Sequence, residues 1–94
     1  MQIEEYSEIF KALGHPVRLM IVCGLLHKGK CNVNTMAERL EQSQSVISQH
    51  VNILKKTGII KGYREGNIIW YKLDNKLAIK LLKNVDLNLC GCKD

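Results

Sequence analysis

Ser43-Gln44-Ser45-Val46-Ile47-Ser48-Gln49-His50-Val51-Asn52-Ile53-Leu54-Lys55-Lys56-Thr57-Gly58 is the stretch from which the fold is read. Its apolar residues keep helical spacing, with Val46, Ile47, Val51 and Leu54 on one stripe. A Ser-x-Ser pair opens the helix with capping side chains. Gly58 closes it after Lys55 and Lys56, two cations suited to the negative end of the helix dipole. The opposite face carries Gln44, Ser45, Ser48, Gln49 and Asn52. Uncharged amides and hydroxyls make poor catalysts, but they suit base edges and phosphate oxygens. A polar helix face is often only a solvated one, so the surroundings decide between the two readings. Residues 34–40, Asn-Thr-Met-Ala-Glu-Arg-Leu, read as a short capped helix, and Glu41-Gln42-Ser43 leaves a tight turn before the next. A short helix, a turn and a longer helix with a polar leading end form a helix-turn-helix, expected over about residues 35–57.

The remaining chain is arranged around that pair. Ile3, Tyr6, Ile9, Phe10 and Leu13 mark the apolar stripe of a first helix, which Gly14 stops. Pro16 starts a second helix in the first-turn position that proline favours. Residues 17–26 are apolar almost all round, broken by Arg18 and Gly24, with Cys23 among them. Such a helix is expected to be buried on all sides, with a second subunit covering what one copy cannot. Cys31-Asn32-Val33 reads as an extended link. After Gly58 the period changes: residues 59–64 and 68–73 are β-rich and joined by Glu65-Gly66-Asn67, which predicts a hairpin over about 59–73. Directly after a recognition helix, such a hairpin is a wing that can lay Arg64 along the DNA. Asp74 or Asn75 caps a final helix, expected to run to about residue 89, with Leu77, Ala78, Leu81, Leu82, Val85 and Leu89 on one side. The fold class is therefore mainly α with a β-hairpin wing, a dimeric winged helix-turn-helix in a single domain over residues 1–94.

Composition agrees with one ordinary domain: 94 residues, 46% hydrophobic and 24% charged. No apolar run reaches the roughly 18 residues that span a bilayer, and no charged-then-apolar leader opens the chain. The expectation is a cytoplasmic protein with no membrane partner. The net charge of +5 is unevenly placed. Lys55, Lys56, Lys61, Arg64, Lys72, Lys76, Lys80 and Lys83 face only Glu65 and Asp74 over the same residues, while Glu4, Glu5 and Glu8 gather at the start. That asymmetry favours a polyanion against the C-terminal half. Cys23, Cys31, Cys90 and Cys92 match no zinc-finger or Cys-x-x-Cys spacing.

Residues 11–19, Lys-Ala-Leu-Gly-His-Pro-Val-Arg-Leu, together with Ser43–His50 and Arg64-Glu65-Gly66-Asn67, resemble the ArsR/SmtB family of winged-helix repressors over nearly the whole chain. The resemblance implies a homodimer joined through its first and last helices, which blocks transcription from double-stranded operator DNA until an inducer alters it. By position it implies DNA contacts from Gln44, Ser45, Ser48, Gln49 and His50, with Arg64 on the wing; Lys55, at the end of the same helix, joins them. It implies no enzyme activity.

The inducer is read from the cysteines. Arsenic and cadmium sensors of the family carry Cys-Val-Cys where this chain has Asn32-Val33-Asn34, and zinc sensors place Asp and His pairs on a last helix that here lacks histidine. Cys23 and Cys90 resemble the dithiol members, which respond to persulfides or oxidants, so the expected effector is a reactive sulfur species or an oxidant and no cofactor is expected. Cys92 leaves a second reading open, in which Cys23, Cys90 and Cys92 bind arsenite or another thiophilic metal ion. Cys23 as a plain core residue is the bland alternative. A third class is a small thiol oxidoreductase using Cys90-Gly91-Cys92 or a winged-helix interaction module without DNA; the oxidoreductase reading lacks a helix start after the cysteines to lower a thiol pKa.

Overall fold

In the computed structural model, which describes residues 2–85, the order is α1 (Gln2–Leu13), α2 (Pro16–Lys28), α3 (Val33–Leu40), α4 (Gln44–Lys56), β1 (Ile60–Glu65), β2 (Ile68–Leu73) and α5 (Lys76–Leu82). The helix ends follow from local chemistry. His15 caps α2, its Nδ1 accepting the Val17 N–H at 3.1 Å, and Pro16 occupies the first turn. Ser43 Oγ accepts the Val46 N–H and starts α4. At the other end Gly58 takes φ +80° and the Ile59 N–H reaches back to the Leu54 carbonyl at 3.0 Å. Leu54 and Ile59 are both fully buried, which supplies the apolar contact of this helix stop.

Local chemistry decides the details, and α5, expected to run to about residue 89, ends at Leu82, where the Asn84 and Val85 N–H groups bond three residues back instead of four. The first helix of the helix-turn-helix starts at Val33 because Asn32 is the cap, its Oδ1 accepting the Thr35 N–H at 2.8 Å. Asn75, not Asp74, caps α5, whereas Asp74 lies 3.6 Å from Lys61. Cys31 is no mere link: it bonds Tyr71 from both backbone groups, at 3.1 and 2.8 Å, and adds a one-residue bridge to β2. Its side chain is buried.

The core is shared by every helix. Ile9 of α1, Ile21, Val22, Cys23 and Leu25 of α2, Met36 of α3, Ile47, Val51 and Leu54 of α4, and Leu82 of α5 are all buried. The apolar stripe of α1 divides. Ile9, Ala12 and Leu13 pack inward, while Ile3 and Phe10 stay 64% and 58% exposed. The surround of α2 is also incomplete, with Val17, Leu19 and Leu26 only partly covered. Phe10, Leu13, Leu19, Leu81 and Val85 line an apolar groove of about 330 Å³ between the outer helices.

β1 and β2 pair antiparallel from Ile60–Leu73 to Glu65–Ile68, leaving Gly66 and Asn67 as a two-residue turn with Gly66 at φ +61°. Gly62 stands opposite Tyr71, and a Cβ there would lie 2.8 Å from Tyr71 Cε1. Gly62→Ala therefore displaces the buried ring of Tyr71, whose backbone carries the bridge to Cys31. The expected cost is about 1–3 kcal/mol, read as a fall in melting temperature of roughly 4–8 °C per kcal/mol. An unchanged melting temperature would show that the ring moves freely.

Candidate nucleic-acid interface

The packing of α3 against α4 decides which side of α4 faces water. Ile47, Val51 and Leu54 are buried, Ser48 and Val46 are half-buried, and Gln44, Ser45, Gln49 and Asn52 are exposed. The exposed set is four of the five polar residues expected on this face; Ser48, the fifth, is half-buried. Gln44 Nε2 donates to Asn34 Oδ1 at 2.9 Å, joining the starts of α3 and α4. Lys55 and Lys56 are exposed at the far end of α4, and Arg64 is exposed on β1 near the wing tip.

His50 is placed differently from its neighbours. Its ring lies 4.4 Å from the His15 ring, centroid to centroid, and its Nδ1 is 3.5 Å from Arg18 Nη1. Arg18 is itself anchored, with Nε donating to the Ala12 carbonyl at 2.6 Å. His50 thus turns toward the start of α2 and ties the recognition helix to the core. Burial, then the charges of His15 and Arg18, hold its imidazole below the ordinary value of 6.5. The unfolded chain takes up this proton near 6.5 and the folded chain only at lower pH. Stability is therefore full above 6.5 and falls as the pH drops through that window. Melting temperatures between about pH 7.5 and 5.5 are expected to decline, and His50→Gln to flatten the decline. An identical slope in His50→Gln would overturn the assignment.

The wing is basic because its acids are countered. Lys30 Nζ lies 4.0 Å from Glu65 Oε1 and 4.6 Å from the centre of the Trp70 ring, and Lys61 faces Asp74. These exposed pairs add little stability, but they leave Arg64, Lys55 and Lys56 as positive charge beside the polar face of α4. Sequence reasoning missed Asn34, Lys30 and Arg18. The signal for each is a partner distant in the chain, which no local pattern carries.

Of the proposed sensor thiols, Cys23 is fully buried in α2, and Cys90 and Cys92 lie outside the described residues. Among the described residues no three His, Cys, Asp or Glu side chains gather to hold a metal ion, and no single helix is long and apolar enough to cross a membrane.

Known proteins are similar to this chain in sequence and fold. The profile of bacterial regulatory proteins of the arsR family matches residues 15–61. A helix-turn-helix transcriptional regulator of Methanocaldococcus jannaschii, itself uncharacterised, is 41% identical over 83 residues, which is 88% of this chain and 93% of the relative. The cadmium resistance transcriptional regulatory protein of Listeria innocua is 32% identical over 83 residues, 88% of this chain and 67% of that one. The crystal structure of the transcriptional repressor PagR of Bacillus anthracis superposes with a TM-score of 0.84 at 30% identity, covering 92% of this chain and 98% of PagR.

Proposed function

Since this chain belongs to the arsR family of bacterial transcriptional regulators, winged helix-turn-helix repressors that bind DNA and are not enzymes, we propose which residues grip the operator and which chemistry releases it. Gln44, Ser45, Ser48 and Gln49 enter the major groove, while Lys55 and Arg64 hold phosphates. The observation that carries this reading is the exposed polar face of α4 beside a wing whose acids are already paired. His50 supports the helix from behind rather than touching DNA.

The working form is a homodimer. Exposed Ile3 and Phe10 and the apolar groove between α1 and α5 need a cover that one copy does not provide. Sedimentation at micromolar concentration is expected to show a species of twice 10.7 kDa. A 10.7 kDa species alone would overturn the dimer.

Release follows thiol chemistry at Cys23 and Cys90. Cys23 is buried in α2, α2 packs against α5, and the chain from α5 runs on to Cys90. An oxidant takes two hydrogens from the thiol pair to form a disulfide. Two persulfide molecules together form a trisulfide instead: one gives up its outer sulfur and leaves as a thiol, and the other takes the two hydrogens and leaves as a thiol and hydrogen sulfide. A second reading, arsenite or a thiophilic metal ion on Cys23, Cys90 and Cys92, is favoured by the cadmium-resistance relative. Fluorescence anisotropy on the protein's own promoter fragment, followed by mass spectrometry of the released protein, separates the two. Added sulfur or lost hydrogen supports the thiol switch, and a bound metal replaces it with the second reading.

A further inference from the structure

The groove between the start of α4 and the wing has two unlike walls. Asn34, Gln44 and Ser48 stand on one side, Ile68, Ile69 and Tyr71 on the other, around a space of about 470 Å³. Ile68 and Ile69 are 44% and 45% exposed, an adjacent apolar pair left in water. Ile69 shares a face of the hairpin with Tyr71, since a Cβ at Gly62 would lie 3.4 Å from Ile69 Cγ2 and 2.8 Å from Tyr71 Cε1. Arg64 stands opposite Ile69 in the ladder, so its side chain leaves from that same face. A strand favours β-branched residues at 68 and 69, but threonine would serve it as well and suit water better. Isoleucine gives those two positions no hydrogen-bonding group.

In B-form DNA a single sugar–phosphate strand separates the major groove from the minor. With α4 in the major groove and the wing beside it, the groove of the protein lies over that strand. The phosphates meet Arg64 and the amide wall, and the minor-groove edge of the sugar meets the isoleucines. On that edge the 2′ carbon carries only hydrogen in DNA, whereas RNA displays a hydroxyl there. Against Ile69 such a hydroxyl loses its water and gains no partner. We propose that this groove seats one strand of the operator and that Ile69, with Ile68 beside it, selects deoxyribose against ribose. The proposal rests on the reading of α4 as the helix that enters the major groove.

The full-length protein, selected against DNA duplexes with a random centre, yields the probe. Copies of the best duplex then carry a single ribonucleotide at each position in turn, and anisotropy gives the ratio of deoxy to ribo affinity. The wild-type protein is expected to lose roughly 5- to 150-fold at one or two adjacent positions of a half-site. A 2′-fluoro nucleotide at the same place keeps the ribose pucker without a hydroxyl to donate, and it is expected to cost far less. Ile69→Thr and Ile69→Val have nearly the same shape and differ by one hydroxyl. The ribose penalty is expected to persist in Ile69→Val and to be about 2- to 12-fold smaller in Ile69→Thr, where the sugar hydroxyl finds a partner. Any change in overall affinity cancels from these ratios, and a merely structural role would not move them. Ratios near one at every position, an equal loss with 2′-fluoro, or equal penalties in Ile69→Thr and Ile69→Val each overturn sugar selection and leave the reading of α4 in place. A wild-type protein that selects no duplex overturns that reading, and this proposal with it.

Discussion

Operator affinity is expected to fall about 1,000-fold between roughly 50 and 200 mM salt. The estimate comes from charge alone. Lys55, Lys56 and Arg64 are the exposed cations nearest the polar face of α4 that no acid counters in the described residues. A dimer presents two sets, so about six phosphates are neutralised. Each displaces condensed counterions and contributes about −0.9 to the slope of log affinity against log salt. Arg64→Ala removes two of these contacts and is expected to flatten the slope by about 2 while weakening all DNA sequences alike. Gln49→Ala behaves oppositely if it meets a base: the slope stays, discrimination at one position drops, and the loss is roughly 1–3 kcal/mol. Titrations of the three proteins at several salt concentrations check both patterns. A slope untouched by Arg64→Ala would remove the wing from the interface.

The second large effect is release. A bridge between Cys23 and Cys90 would tie the buried middle of α2 to the chain beyond α5. Any resulting shift between α2 and α5 alters the spacing of the two recognition helices, which must meet half-sites about one DNA turn apart. A coupling of about 1–3 kcal/mol between sensor and DNA sites lowers affinity roughly 5- to 150-fold. Cys23→Ser and Cys90→Ser are each expected to bind DNA when reduced and to stay bound after persulfide. Cys23 sits at zero exposure, so a serine there buries a hydroxyl, and its melting temperature must be checked first. Cys90→Ser carries the test if Cys23→Ser does not fold. Cys31→Ser is expected to leave release intact, with a stability cost from its buried place beside Tyr71. Cys92→Ser separates the two effectors: a dithiol switch tolerates it, and a three-thiolate arsenite site does not. Release of Cys90→Ser by persulfide, with affinity falling as in the wild type, would place the switch elsewhere.

Much of the molecule was legible because its signals are local. His15 with Pro16 and Ser43 mark helix starts, Gly58 marks a stop, and Gly66-Asn67 marks the turn of the wing, each through atoms within a few residues. The same holds for the polar face of α4, where the period of the apolar residues already says which side chains point away. The absence of the family's Cys-Val-Cys pattern is read just as directly, since Asn32 and Asn34 stand at those positions.

The sequence by itself thus determined the order of elements, the helix-turn-helix with its wing, and the polar side chains on the open face of α4. Capping, turn formation and helical period depend on neighbours one turn apart, and such neighbours are always together. Tertiary structure alone decided what those elements do to one another. It left Phe10 outside while burying Ile9, made Cys31 a backbone partner of Tyr71, placed His50 against His15 and Arg18, and set Asn34 against Gln44. Each depends on how two elements cross. Crossing is set by the fit of whole side-chain surfaces, so residues far apart in the chain meet without any pattern near either of them.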